Sequence, residues 1–287
     1  MTDKHAKTRA IEAPRAEPRA AAGAPSATAA GALPGVAGRA LSGTAAGALP
    51  GAAPGAADVA DGAALCPSEW QFAATQRAGL YGWFVRLYAE EVSEPLYRSH
   101  FADGGFAPFA GLAELGLEAE VKRLDAALAA LRAEQLPRLE LAADFAQLFL
   151  LDGKTSALPY ASAYAGTDST SPLFGAAEAR MRDFLAAREL AIQADFREPA
   201  DHLAVPLALM AELAGAASSA EDIPTAAATQ ADFLRTAVLD WLPRFVERCQ
   251  QARPRFDVYP ALAALLLGFV RADVAFLEDV GGSAAVS

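Results

Sequence analysis

The chain is short of several kinds of residue, and each shortage removes a class of function. Cysteine occurs twice in 287 residues, at Cys66 and Cys249. Two thiols so far apart form neither a disulfide framework nor a zinc-ligand spacing, so reduced thiols in a cytoplasmic protein are expected. Histidine occurs three times, at His5, His100 and His202. His5 lies in low-complexity sequence, and neither His100 nor His202 has a metal-ligand companion at useful spacing. The G-x-S-x-G elbow, H-E-x-x-H, the Walker loop, G-x-G-x-x-G and an acid-rich D-D-x-x-D helix are all missing, so no catalytic residue and no metal site is expected. Basic residues are also in the minority: 24 Lys and Arg face 35 Asp and Glu, for a net charge of −11. That balance, with no basic recognition helix, makes nucleic acid a poor partner and a basic peptide a good one. Long apolar runs are lacking too. The longest, Ala261 to Val270, is about half of what spans a bilayer. Near the N-terminus Pro and Gly interrupt every candidate signal core, while Asp3, Glu12 and Glu17 argue against a transit peptide.

What is present divides the chain in two. Residues 1–65 are Ala, Gly and Pro, with Ala-Leu-Pro-Gly recurring at Ala32 and Ala48. Such a segment cannot bury enough large side chains to offset its backbone entropy and is expected to be a disordered tail. Its six basic and five acidic residues leave it at +1, so residues 66–287 carry −12. Those 222 residues suffice for one sizeable core.

The periodicity of residues 66–287 is helical almost throughout, which predicts a single all-α domain. Leu117, Val121, Leu124, Leu128 and Leu131 form a 4-3-4-3 stripe with charges opposite. Trp70, Leu80, Tyr81, Phe84, Val85 and Tyr88 predict a helix over 68–91, followed by Ser93-Glu94-Pro95 as the cap and first turn of a short one. A helix over 137–151 presents Leu141, Phe145, Leu148 and Phe149. Ser171-Pro172 reads as a cap leading to Leu173, Ala177, Met181 and Phe184. A polar loop is expected near 215–229. Leu234, Val238, Trp241 and Phe245 then continue a stripe that Pro243 kinks or splits. Tyr259-Pro260 opens a last, nearly all-apolar helix that belongs at the centre of the bundle and ends at Gly281-Gly282.

Two carboxylates fall on apolar faces: Asp144 beside Leu141, Phe145 and Leu148, and Asp273 on the stripe Leu262, Leu266, Phe269 and Phe276. Each needs a partner. An internal pair with Arg86 or Arg235 is the simple solution, and an arginine supplied by a bound peptide is the sharper one.

One connection is out of proportion. Residues 152–170 show no period and contain Pro159-Tyr160-Ala161-Ser162-Ala163-Tyr164, whereas helical bundles usually connect in eight residues or fewer. About forty residues on, Glu198-Pro199-Ala200-Asp201-His202 precedes the apolar segment Leu203 to Leu213. With Pro199 as the first helical residue, Asp201 lies in the first turn, where a carboxylate favours the positive helix end. His202 is then a capped or half-buried side chain, or part of a binding site.

The order and spacing of these two motifs, with Asp144-Phe145-Ala146-Gln147-Leu148-Phe149-Leu150 upstream and the closing helix downstream, resembles the TorD/DmsD family of cytoplasmic chaperones for molybdenum enzymes. The likeness covers roughly residues 70 to 280. It implies a redox-enzyme maturation chaperone that holds a trimethylamine N-oxide or dimethyl sulfoxide reductase precursor, including its twin-arginine leader, while molybdopterin is inserted before export. It places client binding at Tyr160, Ser162, Tyr164, Glu198, Asp201 and His202. It implies no resident cofactor beyond weak guanine-nucleotide binding, no membrane insertion, and a possible homodimer. Three departures stand out. Pro206 within the expected helix removes its bond to the carbonyl of His202, Ala161 replaces an acid common in the middle of the tyrosine motif, and Leu151-Asp152-Gly153 stands where a G-P-G-like turn is frequent. The alternative from another class is a helical small-molecule-binding protein or enzyme with an apolar interior pocket.

Overall fold

The computed structural model describes residues 31–32, 65–102, 109–153, 155–165 and 175–282. Apart from Gly31, Ala32 and Leu65, the expected disordered tail lies outside the described residues, as does the Ser171-Pro172 cap. The all-α expectation holds. Among the described residues, β pairing amounts to two parallel residue pairs between β1 (Gly31–Ala32) and β2 (Leu190–Ala191), and one antiparallel bridge between Tyr160 and His202.

The helices begin where local chemistry lets them begin. α1 (Pro67–Tyr88) has Pro in its first turn, where a missing N–H costs nothing, and Glu69 accepts from the Cys66 amide at 2.9 Å. α2 (Glu94–His100) is capped by Ser93 as expected. The short α3 (Phe109–Leu112) runs through a π-like junction, Ala113–Leu117, into α4 (Glu118–Arg132). The kink falls at Gly116, whose φ of 80° is open to glycine at little cost. α5 (Pro137–Phe145) continues through a π-helical turn, Ala146–Leu150. α6 spans Ala176–Ala186 and α7 spans Ala204–Ala217.

Where a polar loop is expected near 215–229, the chain instead completes α7 and starts α8 (Ile223–Phe233), leaving only residues 218–222 between them. Asp222 accepts the Thr225 amide at 3.0 Å, and Pro224 sits in the first turn. The Ala-rich composition of α8 hides its period, yet Ala227, Gln230, Ala231 and Phe233 are buried. The stripe continues through Leu234–Leu239 and breaks at Asp240–Trp241, so α9 (Leu242–Ala252) starts with Pro243 in its first turn. Pro243 splits the helix, as its missing donor requires.

α10 (Val258–Gly282) is the central helix, packed against α4, α8 and α9. By length and composition it could cross a bilayer, but most of it is buried inside the bundle, which is how a core helix passes the same test. α1 runs antiparallel to both α7 and α10. Trp70 near its start donates to the Ala217 carbonyl at the end of α7 at 2.6 Å and stacks on Phe276, while Tyr81 and Phe84 meet Phe269. Gly268 matters here, because a Cβ would come within 2.8 Å of a Leu117 methyl where the α3–α4 junction crosses α10.

Both odd carboxylates are spent inside the fold, with other partners than Arg86 or Arg235. Asp273 receives two N–H groups from the buried Arg77 and the Tyr81 hydroxyl at 2.6 Å, while Arg77 also donates to Gln230 at 2.7 Å. Asp144 accepts the backbone amides of Arg255 and Phe256 at 2.9 and 2.8 Å, closing the turn between α9 and α10. Burial raises the Asp144 pKa, and those two amides offset only part of the rise. Arg235 reaches outward to Glu278 instead.

Candidate functional site

The tyrosine motif and the Glu198–His202 motif are brought together by main-chain pairing. The Leu203 amide donates to the Pro159 carbonyl at 2.7 Å, and the Ala161 amide to the Asp201 carbonyl at 3.0 Å. The Asp201 side chain adds a third strut, its Oδ2 accepting the Ser162 amide at 2.9 Å. A short 3₁₀ turn, Ala161–Tyr164, follows at once.

This pairing corrects the expected helix start. Pro199 begins a turn, closed by the His202 amide on the Pro199 carbonyl at 3.0 Å, and α7 begins only at Ala204. Asp201 is therefore not in the first helical turn and bonds across to the loop. The donors at the helix start are accounted for residue by residue. Ala204 donates to His202 Nδ1 at 3.1 Å, Val205 to the His202 carbonyl at 2.9 Å, and Pro206 has no donor to satisfy. The bond that Pro206 would remove is not one the helix needs, because Pro206 falls within the first turn of α7.

His202 is buried and packs edge to face between Tyr160 and Phe196, with ring centroids 5.2 and 5.5 Å away. An imidazolium has no compensation there, and burial lowers its pKa to about 3. With Nδ1 accepting, the neutral ring carries its proton on Nε2.

Of the six residues singled out in the sequence, two are half-buried and four are buried. Tyr160 donates its hydroxyl to Glu198 Oε2 at 2.6 Å, and this pair lies at the edge of the site. Burial, with the Glu198 bond next, raises the Tyr160 pKa, so the hydroxyl stays protonated and donating. Ser162, Tyr164, Asp201 and His202 form the foundation beneath. Tyr164 stacks on Trp241, its hydroxyl lacking a partner, and burial raises its pKa. Asp201 Oδ1 is likewise buried without a partner. Such an orphan costs about 1–3 kcal/mol and persists where packing over-determines it.

Three supporting residues escaped the sequence reading. Phe196 walls His202, Trp241 floors Tyr164, and Arg248 on α9 pins the loop by donating to the Ser156 and Gly153 carbonyls at 2.7 and 2.9 Å. Only Trp241 carried a signal, as a member of the α9 stripe. Arg248 is an unremarkable polar residue in the sequence until the fold brings the Gly153 and Ser156 carbonyls to it.

Among the described residues no three His, Cys, Asp or Glu side chains converge as metal ligands. The arrangement is a polar zipper that fixes a loop against a helix, and the class that the fold defines is an all-α protein.

Comparison with known proteins carries the assignment further. Residues 113–247 match the nitrate reductase delta subunit family. The chain is 40% identical over 215 residues to "Chaperone protein TorD" of Psychrobacter sp. (strain PRwf-1), covering 74% of this chain and 96% of that protein. The same 40% identity holds for the TorD chaperones of Vibrio cholerae serotype O1 (strain M66-2), covering 71% of this chain and 93% of theirs, and of Actinobacillus pleuropneumoniae serotype 7 (strain AP76), covering 70% and 95%. The chain belongs to the TorD family of chaperones, a family without enzymatic activity.

Proposed function

We propose that this chain is a cytoplasmic maturation chaperone for a molybdenum-containing reductase of the trimethylamine N-oxide or dimethyl sulfoxide type, and that it binds the precursor's twin-arginine leader while molybdopterin is inserted before export. Family membership supports the chaperone role, and the half-buried Tyr160–Glu198 pair is the observation that carries the leader reading. A carboxylate held by a neutral phenol at the rim of an apolar helix, on a domain of charge −12, suits a guanidinium followed by an apolar segment. The exposed Leu136, Leu139, Leu150 and Leu151 add apolar surface for an unfolded client. Tyr160 and Glu198 are assigned to client contact, and Ser162, Tyr164, Asp201 and His202 to holding that edge in place. The chaperone has no resident cofactor in this reading.

Calorimetry with an Arg-Arg leader peptide, a Lys-Lys version and a scrambled one, at low and high salt, tests it. A guanidinium makes a bidentate contact that an ammonium cannot, and a charge-assisted bond contributes roughly 1.5 to 3 kcal/mol. The Arg-Arg peptide should bind about tenfold or more tightly than Lys-Lys, and Glu198→Gln should remove most of the difference. Equal affinity for all three peptides overturns leader recognition.

A further inference from the structure

α5 and the π-helical turn that continues it are apolar on both sides. The inner face buries Leu141, Phe145, Leu148 and Phe149 in the core, while the outer one leaves Leu139, Ala143 and Leu150 exposed, with exposed Leu136 and Leu151 at its two ends. A helix apolar all round calls for cover on both faces. The four leucines, 51 to 60% exposed, offer roughly 400 Å² per copy, about half of the ~800 Å² that each partner gives to a standard interface. The cover they suit is therefore weakly held.

The pattern of the outer face says what that cover is. Leu139, Ala143, Ala146 and Leu150 are spaced 4-3-4, which reads the same from either end about the midpoint between Asp144 and Phe145. A twofold axis through that midpoint sets Leu139 of one copy against Leu150 of the partner subunit, and Ala143 against its Ala146. An isologous contact demands such self-complementarity, whereas a foreign partner does not. The small residues at the centre let the two helix axes approach closely. Like charge opposes self-association of a domain that carries −12, but the stripe itself is quiet. Between Leu139 and Leu151 the only carboxylates are Asp144, which is buried, and Glu140, which is bound to Arg255 at 2.6 Å. On the other flank Arg138 is bound to Glu94 at 3.1 Å.

We propose that a second copy of this chain covers the stripe, the two α5 helices packing antiparallel about a twofold axis. In the idle protein the pair covers the leucines that an unfolded client would meet, so the two occupants exclude each other.

Sedimentation equilibrium on the full chain, from about 5 to about 500 μM, should show a reversible equilibrium between monomer and dimer. Leu139→Glu and Leu150→Lys, both at exposed positions, should each weaken it about tenfold or more. An equimolar mixture of the two variants should restore it, because a mixed pair sets the new carboxylate opposite the new ammonium and keeps one contact between Leu139 and Leu150. Rescue on mixing also shows that each variant is folded. A protein that stays monomeric at about 500 μM leaves the stripe to the client or to chain outside the described residues, and overturns the proposal. A dimer that neither variant weakens uses another surface or exchanges helices, and overturns it too. A dimer lost in both variants and not regained on mixing excludes the antiparallel pairing.

Discussion

Acid should loosen this protein through His202, by an amount that follows from its surroundings. The ring is neutral in the fold, with a pKa near 3, whereas an exposed histidine in the unfolded chain titrates near 6.5. A lowered folded pKa means that the unfolded chain takes up the proton first as pH falls. The stabilisation is therefore complete above about pH 6.5 and is lost progressively between 6.5 and 3. At pH 5, about 1.5 units below the unfolded value, the loss is about 2 kcal/mol at 1.36 kcal/mol per unit. That figure does not depend on where below pH 5 the folded ring titrates. His202→Asn is the matched control, since its side-chain oxygen can still accept the Ala204 amide and it does not titrate. Urea unfolding at pH 7.5 and pH 5.0 should give wild type a loss about 2 kcal/mol larger than that of the variant, about 4–8 °C in melting temperature for a domain of this size. Asp144, whose pKa is raised, acts in the opposite sense, but it is common to both proteins and cancels. Equal losses in the two proteins would mean that the ring is hydrated or already charged in the fold, and would refute the reasoning.

Asp273→Asn should cost about 3–5 kcal/mol in chemical denaturation, because it leaves the Arg77 guanidinium buried without its counter-charge; a cost under about 1 kcal/mol would show that water reaches the network. Removing residues 1–64 should leave the melting temperature within about 5 °C, since the segment lacks the large apolar side chains that core burial needs, and a larger drop by calorimetry would assign the tail a structural role.

Where burial repeats along a local stripe, the sequence was readable. Leu124, Leu128 and Leu131 in α4, Tyr81, Phe84 and Tyr88 in α1, and the apolar run of α10 are all buried as their spacing requires. Caps are legible in part: Ser93 behaves as expected, while Asp222-Ile223-Pro224 carries the same signal at the start of α8 but is masked by the polar residues around it. What could not be read depends on contacts made far along the chain. The start of α7 is delayed to Ala204 because residues 201–203 pair with 159–161, and no local propensity encodes that choice. Asp144 is satisfied by two backbone amides, which have no side-chain signature. Asp273 was a near miss, since Arg77 precedes Tyr81 by one helical turn on the buried stripe, whereas Arg86 lies off it. The candidate site residues follow from the motifs and the family resemblance, whereas their division into two at the edge and four beneath appears only once the loop is folded.

The position of α10 has a consequence for biosynthesis. The helix that α4, α8 and α9 pack against is the last of the described helices to be made, and α1, the first of them, finds its partners in α7 and α10. Until α10 has been made, a nascent chain holds its amphipathic stripes without the element that buries them, and the pairings with α10 close only afterwards. The bundle thus stays open until its centre is supplied, and truncation anywhere within α10 removes the centre of the bundle rather than its edge.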